Sequence, residues 1–169
     1  MTTNRAIVIF PKFSNSVLID EIRGKYDPLY NFIAPHLTLV FPFQSEFTKE
    51  ELIEHIKNQL GEVRPFELIV KGITGSSDGY VFLDVKKGND NVIELHDKLY
   101  SGILKPYHNR FIPYIPHVTI AKLKDEKSHN EVVEELSDFN VEFRTAIDRI
   151  TIEIIDDTDK SKLEYEYKL

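Results

Sequence analysis

The pentapeptide Pro-His-apolar-Thr-apolar occurs twice, at Pro35-His36-Leu37-Thr38-Leu39 and Pro116-His117-Val118-Thr119-Ile120. The residues around the two copies run in the same order, so internal duplication is the strongest constraint on the fold. In the first copy, residues 5–10 read as a strand. Residues 14–25 read as a helix with Val17, Leu18 and Ile22 on one face. Residues 35–40 form the motif strand. Thr48-Lys49-Glu50-Glu51 has the form of a capping box opening a helix to Leu60, with Gly61 as its stop. Residues 66–74 read as a closing strand. In the second copy, 80–85 reads as a strand and 91–103 as a helix with Val92, Leu95, Leu99 and Ile103 apolar. The motif strand 116–120 follows, then a second capping pattern at Ser128-His129-Asn130-Glu131. Residues 141–155 read as a strand or bent strand pair, and 163–168 as a last strand. Twelve positions separate His36 from Thr48, and eleven separate His117 from Ser128.

Each half therefore reads β-α-β-α-β. The expected fold is α+β, a single bilobal domain of two repeats, 1–75 and 76–169, about a pseudo-two-fold axis with a central cleft. Gly72, Gly75, Ser76, Ser77 and Gly79 mark the junction, and the acidic stretch 156–159 reads as a hairpin turn.

Residues i and i+2 of a strand share a face. His36 and Thr38 then face one side, and Leu37, Leu39 and Phe41 the other. His117 and Thr119 face one side, opposite Val118 and Ile120. Two histidines and two hydroxyls in one cleft suit a phosphodiester. A neutral imidazole can take a proton from attacking water while an imidazolium gives one to the leaving oxygen. Threonine hydroxyls can donate to the non-bridging oxygens. Which histidine takes which role is open at this stage. No metal or other cofactor is required.

Composition excludes several alternatives. With no cysteine, disulfides, thiolate metal sites and a Cys nucleophile are ruled out. No run approaches the roughly 20 apolar residues of a membrane span, and the N-terminus reads as a strand and not as a signal peptide. A cytoplasmic monomer is expected. A net charge of −7 argues against coating an extended duplex, where neutralised phosphates dominate affinity. It leaves room for one phosphate in a local pocket. There is no Walker A sequence, Gly-x-Ser-x-Gly elbow or His-Glu-x-x-His, and a zinc site on His36 and His117 lacks a third ligand.

The two pentapeptides, with the duplication and strand order around them, resemble the signature motifs of the 2H phosphoesterase superfamily. That superfamily includes 2′-5′ RNA ligase-like proteins and cyclic phosphodiesterases, and the similarity is greatest to its small bacterial members. The resemblance covers nearly the whole chain. It implies two antiparallel sheets around the cleft and metal-independent hydrolysis of a 2′,3′-cyclic phosphate or 2′,5′ phosphodiester in a nucleotide or RNA end. By the family pattern, His36 and His117 are the acid/base pair and Thr38 and Thr119 the phosphate donors.

Phe41, Phe43, Tyr114 and Arg110 lie near the motifs and are candidates for stacking on a base or holding a second phosphate. Core packing for the aromatics and a surface charge for the arginine are the competing readings. His55, His96 and His129 fall on helices among polar neighbours and are expected at the surface. His108 precedes the second motif and is in reach of the cleft. Lys122, Lys124 and Lys127 form a basic cluster after the second motif, which reads as a solvated edge in preference to an RNA track. The alternative function is a non-catalytic module that grips a nucleotide or RNA terminal phosphate. A purely structural interaction protein, with no phosphate affinity, is the third reading.

Overall fold

Branched and aromatic runs become strands, and segments with apolar residues three and four apart become helices. The computed structural model describes residues 2–169. Their order is β1 (Thr3–Ile9), α1 (Val17–Tyr26), β2 (Leu37–Ser45), α2 (Lys49–Leu60), β3 (Phe66–Gly75), β4 (Tyr80–Lys87) and α3 (Asn89–Leu99). A 3₁₀ turn (Gly102–Tyr107), β5 (His117–Lys122), α4 (Glu126–Glu135), β6 (Phe143–Ile147), β7 (Arg149–Ile155) and β8 (Ser161–Lys168) follow. The strands form two four-stranded sheets, ordered β2-β1-β7-β8 and β5-β4-β3-β6. Every strand pair in them is antiparallel. None of the described helices is long and apolar enough to cross a membrane.

One core serves both sheets. Ile7, Ile9, Leu37 and Leu39 of the first sheet meet Leu68, Val70, Leu83 and Val118 of the second, with helical Leu52, Ile56, Leu95 and Leu99 packed against them. Each such side chain contributes roughly 1.5–3 kcal/mol on leaving water. The box at Thr48 forms as read: its hydroxyl accepts from the Glu51 amide while Glu51 accepts from the Thr48 amide at 2.7 Å.

The sheets do not follow the repeat boundary. β3, which closes the first repeat in sequence, pairs with β4 in the second sheet. The stretch 141–155 divides at Asp148 into β6 and β7, one in each sheet. β7 lies between β1 and β8, returning the chain's end to the sheet in which it began.

Several local expectations are corrected. α1 buries Ile19, Ile22 and Arg23, while Val17 is 59% exposed, because the helix starts only at that residue. α3 stops at Leu99, and the 3₁₀ turn containing Pro106 takes up the rest of the expected helix. The cap of α4 is Asp125, which accepts from the Ser128 amide at 2.9 Å, so the helix opens one turn earlier than the serine suggests. His55 and His96 are buried, not at the surface. Both fall within apolar stripes, Leu52/His55/Ile56 and Val92/Leu95/His96, and each ring nitrogen donates to a carbonyl, of Leu99 at 2.9 Å and of Leu39 at 2.8 Å.

Candidate functional site

Both motif strands are edge strands, β2 in one sheet and β5 in the other, and these two edges adjoin. Both carry a bulge immediately after the threonine. Ile7 pairs with Val40 and Val8 with Thr38, leaving Leu39 extra; Val81 pairs with Ala121 and Phe82 with Thr119, leaving Ile120 extra. A bulge lets two successive residues point the same way. Leu39 and Val40, and likewise Ile120 and Ala121, are accordingly buried in the core. His36, Thr38, His117 and Thr119 are half-buried on the other face. The bulge also reverses the expected side for Phe41, which is 39% exposed and not in the core.

The two histidines are held alike. Nδ1 of His36 donates to the Ala34 carbonyl at 2.9 Å, and Nδ1 of His117 donates to the Ile115 carbonyl at 2.6 Å. A carbonyl only accepts, so each Nδ1 carries the proton and each neutral ring presents Nε2 as its free base. Neither Nε2 and neither threonine hydroxyl has a hydrogen-bond partner among the described residues. Phe10 lies against His36 with ring centres 6.1 Å apart, and Phe82 packs on His117 at 3.9 Å.

Burial holds the pKa of both rings below the ordinary imidazole value. At His36 the Ala34 carbonyl opposes this, Arg23 reinforces it, Asp27 opposes it, and the charge on His117 lowers it further. At His117 the Ile115 carbonyl and then Asp84 pull the other way. Buried His96 is lowered for the same chief reason. The unfolded chain therefore takes up protons on these histidines first as the solution is acidified. The stability tied to their neutral forms is complete above about pH 6.5 and is lost as pH falls through the lowered folded values. Thermal melts between about pH 7.5 and 5.5 should show Tm falling with acidification. A Tm unchanged across that window would mean that the rings are not desolvated.

Side chains from the second half hold the outer edge of β2 at its irregular segment. Tyr114 donates to the Thr38 carbonyl at 2.8 Å, His96 donates to that of Leu39, and the Phe41 amide donates to the Tyr100 hydroxyl at 2.9 Å. Tyr114 stacks on His96 with ring centres 3.6 Å apart, and His108 stacks on Tyr100 at 4.5 Å. Tyr114 is thus a support for the first motif and is not free to stack on a base. Phe43 is buried against Tyr107 and is likewise closed to a base. Arg110 is exposed in the loop before β5. His108 belongs to the stack. His129, half-buried on α4, makes a 3.1 Å hydrogen bond with the Tyr80 carbonyl.

Two features were not singled out from sequence: the paired carbonyl acceptors and the histidine–tyrosine stack. The repeated proline before each motif histidine was the available signal for the first. A groove of about 510 Å³ between the β3–β4 turn and the start of α4 contains no motif residue. Some of its polar groups bond one another, as Ser76 does Asp78 and His129 does Asn130.

Residues 10–159 match the 2′-5′ RNA ligase superfamily. A Bacillus licheniformis protein bearing the name "Putative phosphoesterase" is 31% identical over 147 residues, covering 85% of each chain. A Bacillus pumilus protein of the same name is 25% identical over 146 residues, covering 85% of this chain and 84% of its own. Among solved structures, Escherichia coli LigT complexed with 3′-AMP superposes with a TM-score of 0.66 at 16% identity, covering 100% of this chain and 99% of LigT. Kluyveromyces marxianus Usb1 does so with a TM-score of 0.54 at 13% identity, covering 99% and 98%. These two likenesses are of fold. With both motifs inside the matched span, and two antiparallel sheets built from duplicated elements, the chain belongs to the 2′-5′ RNA ligase superfamily.

Proposed function

We propose that this protein is a phosphoesterase that opens a 2′,3′-cyclic phosphate, or cleaves a 2′,5′ phosphodiester, at a nucleotide or RNA end. The observation that carries the reading is the matched setting of His36 and His117 on adjoining edge strands. Each has Nδ1 on a carbonyl two residues back and a free threonine hydroxyl two residues on. The names of the relatives point to the same ester chemistry. E. coli LigT, described in complexes with 3′-AMP, ATP and NADP+, supports a nucleotide-type ligand.

In this scheme one neutral Nε2 takes a proton from water as the water oxygen bonds to phosphorus. The other imidazolium gives its Nε2 proton to the ester oxygen as that P–O bond breaks, leaving a phosphate monoester. Burial lowers the pKa of both rings; Asp84 favours a proton on His117, while at His36 the paired Arg23 and Asp27 act in opposite directions. Ligation is the reverse path. Thr38 and Thr119 donate to the non-bridging oxygens, where charge builds up.

Phosphorus NMR of a 2′,3′-cyclic nucleotide incubated with the protein tests the reading. The cyclic signal should give way to that of a monoester, and its position reports which bond broke. A protein that binds the nucleotide and protects the ring would be a binding module instead. Turnover should persist in EDTA, because the chain has no cysteine and no cluster of three His, Asp or Glu metal donors among its described residues. Loss in EDTA with recovery on adding a divalent ion would overturn the assignment of roles.

A further inference from the structure

The two motif strands match through histidine, threonine and bulge, and then differ. The next residue on the exposed face is Phe41 on β2 and Lys122 on β5. The surroundings of Lys122 fix its face. Its ammonium lies 3.6 Å from the centre of the Tyr80 ring, Tyr80 stacks on Phe82 at 5.8 Å, and Phe82 packs on His117. A continuous row therefore runs from His117 over Phe82 and Tyr80 to Lys122. Three strand positions place Lys122 about 7–10 Å beyond Thr119.

Lys122 also borders a groove of about 410 Å³ between the end of α1 and the end of β5, lined in addition by Lys25 and Lys124. Lys25 and Lys124 have no ion pair among the described residues. Lys122 donates to the Asp78 carbonyl, and the Asp78 carboxylate, itself bonded to Ser76, offsets part of its charge, so the unpaired charge of the strip rests chiefly on Lys25 and Lys124. Two carboxylates reach the groove: Asp27, which is paired to Arg23 at 2.7 Å, and Asp125, which caps α4. In a chain of net charge −7, this leaves a local cationic strip beside an aromatic floor. Those are the two ingredients of a single-stranded nucleic acid track.

We propose that Lys122, continued by Lys25 and Lys124, binds the next phosphate of an oligoribonucleotide whose terminal phosphate sits between the motifs. The strip gives a nearly symmetric site a direction. The polynucleotide leaves along β5, and the β2 side, ending in Phe41, faces the terminal nucleoside. The inference takes the phosphate-binding reading of the motifs as its starting point, but it does not need turnover.

The test is fluorescence anisotropy of a short labelled oligoribonucleotide with a terminal phosphate, over a series of salt concentrations. A labelled mononucleotide serves as the reference ligand. Lys122→Ala should weaken oligonucleotide binding about tenfold and reduce the salt slope by about one, whereas mononucleotide binding stays within about twofold. Lys122→Arg should retain most of the affinity. The double variant Lys25→Ala/Lys124→Ala, which leaves the contact with Tyr80 intact, should reproduce the loss. An unchanged salt slope, equal weakening of both ligands, or no oligonucleotide binding by the native protein would each overturn the proposal. Oligonucleotide binding that depends on the lysines, without hydrolysis in the NMR assay, would reject catalysis while leaving the track in place.

Discussion

His36→Ala and His117→Ala should each lower kcat/KM on a cyclic nucleotide by at least about 10²-fold, the lower end for general acid–base catalysis. The double variant should be little worse than either single one. Water attack without its base, and departure without its acid, each leave a high barrier, and once one partner is gone the other has less to contribute. Groups acting as a unit show this non-additivity. Each neutral ring offers Nε2 alone, since Nδ1 is committed to a carbonyl, so the proton has one place to go on each side. Folding should change by only about 1 kcal/mol, as for most single substitutions, because both rings are half-buried. The measurement is kcat/KM for the three variants, with thermal melts as the control. One histidine replaced at almost no loss, in a folded protein, would defeat the two-histidine scheme.

Thr38→Val and Thr119→Val should lower kcat by about 10²-fold, the scale seen when one oxyanion-hole donor is removed. KM should change much less. Valine keeps the branched shape and removes only the hydroxyl. At Thr38 the backbone stays anchored, since the bond from Tyr114 goes to the main-chain carbonyl and not to the side chain. A hydroxyl that meets mainly the charge developing in the transition state affects kcat rather than binding. Steady-state kinetics of both variants decide the point. Near-normal rates would make the threonines supports for their histidines.

The repeat made the element order and both motif pairs readable, because period-2 and period-3.6 patterns are local. What escaped depends on partners distant in sequence. The flat alternation around His36 placed Phe41 in the core; the unpaired Leu39 in the β1–β2 ladder turns it outward. His55 and His96 had polar neighbours, yet their places in the apolar stripes put them under carbonyls that only the fold supplies. Tyr114 and Phe43 were near the motif in sequence or space, but packing uses one as a strut and the other as filling. A bent pair is one of two readings the residues 141–155 allow, whereas the break at Asp148 and the transfer of the chain from one sheet to the other are not legible there. Sheet membership is a property of non-local pairing.

The return of the last strands to the first sheet orders events during synthesis. β1 and β2 emerge early, but two strands alone are marginal in water. The inner neighbour of β1 is β7, through pairs such as Ile7 with Ile152. Contacts so remote in sequence slow folding, since loop closure precedes their reward. A ribosome adds about 5–20 residues per second. The first motif therefore waits, with one edge of its partner strand uncovered, until β7, far along the sequence from β2, has been made. Its supports from His96, Tyr100 and Tyr114 also arrive late. The nascent protein carries an open strand edge from the making of β1 until that of β7, and a chain that ends before β7 leaves the ribosome with that edge still bare.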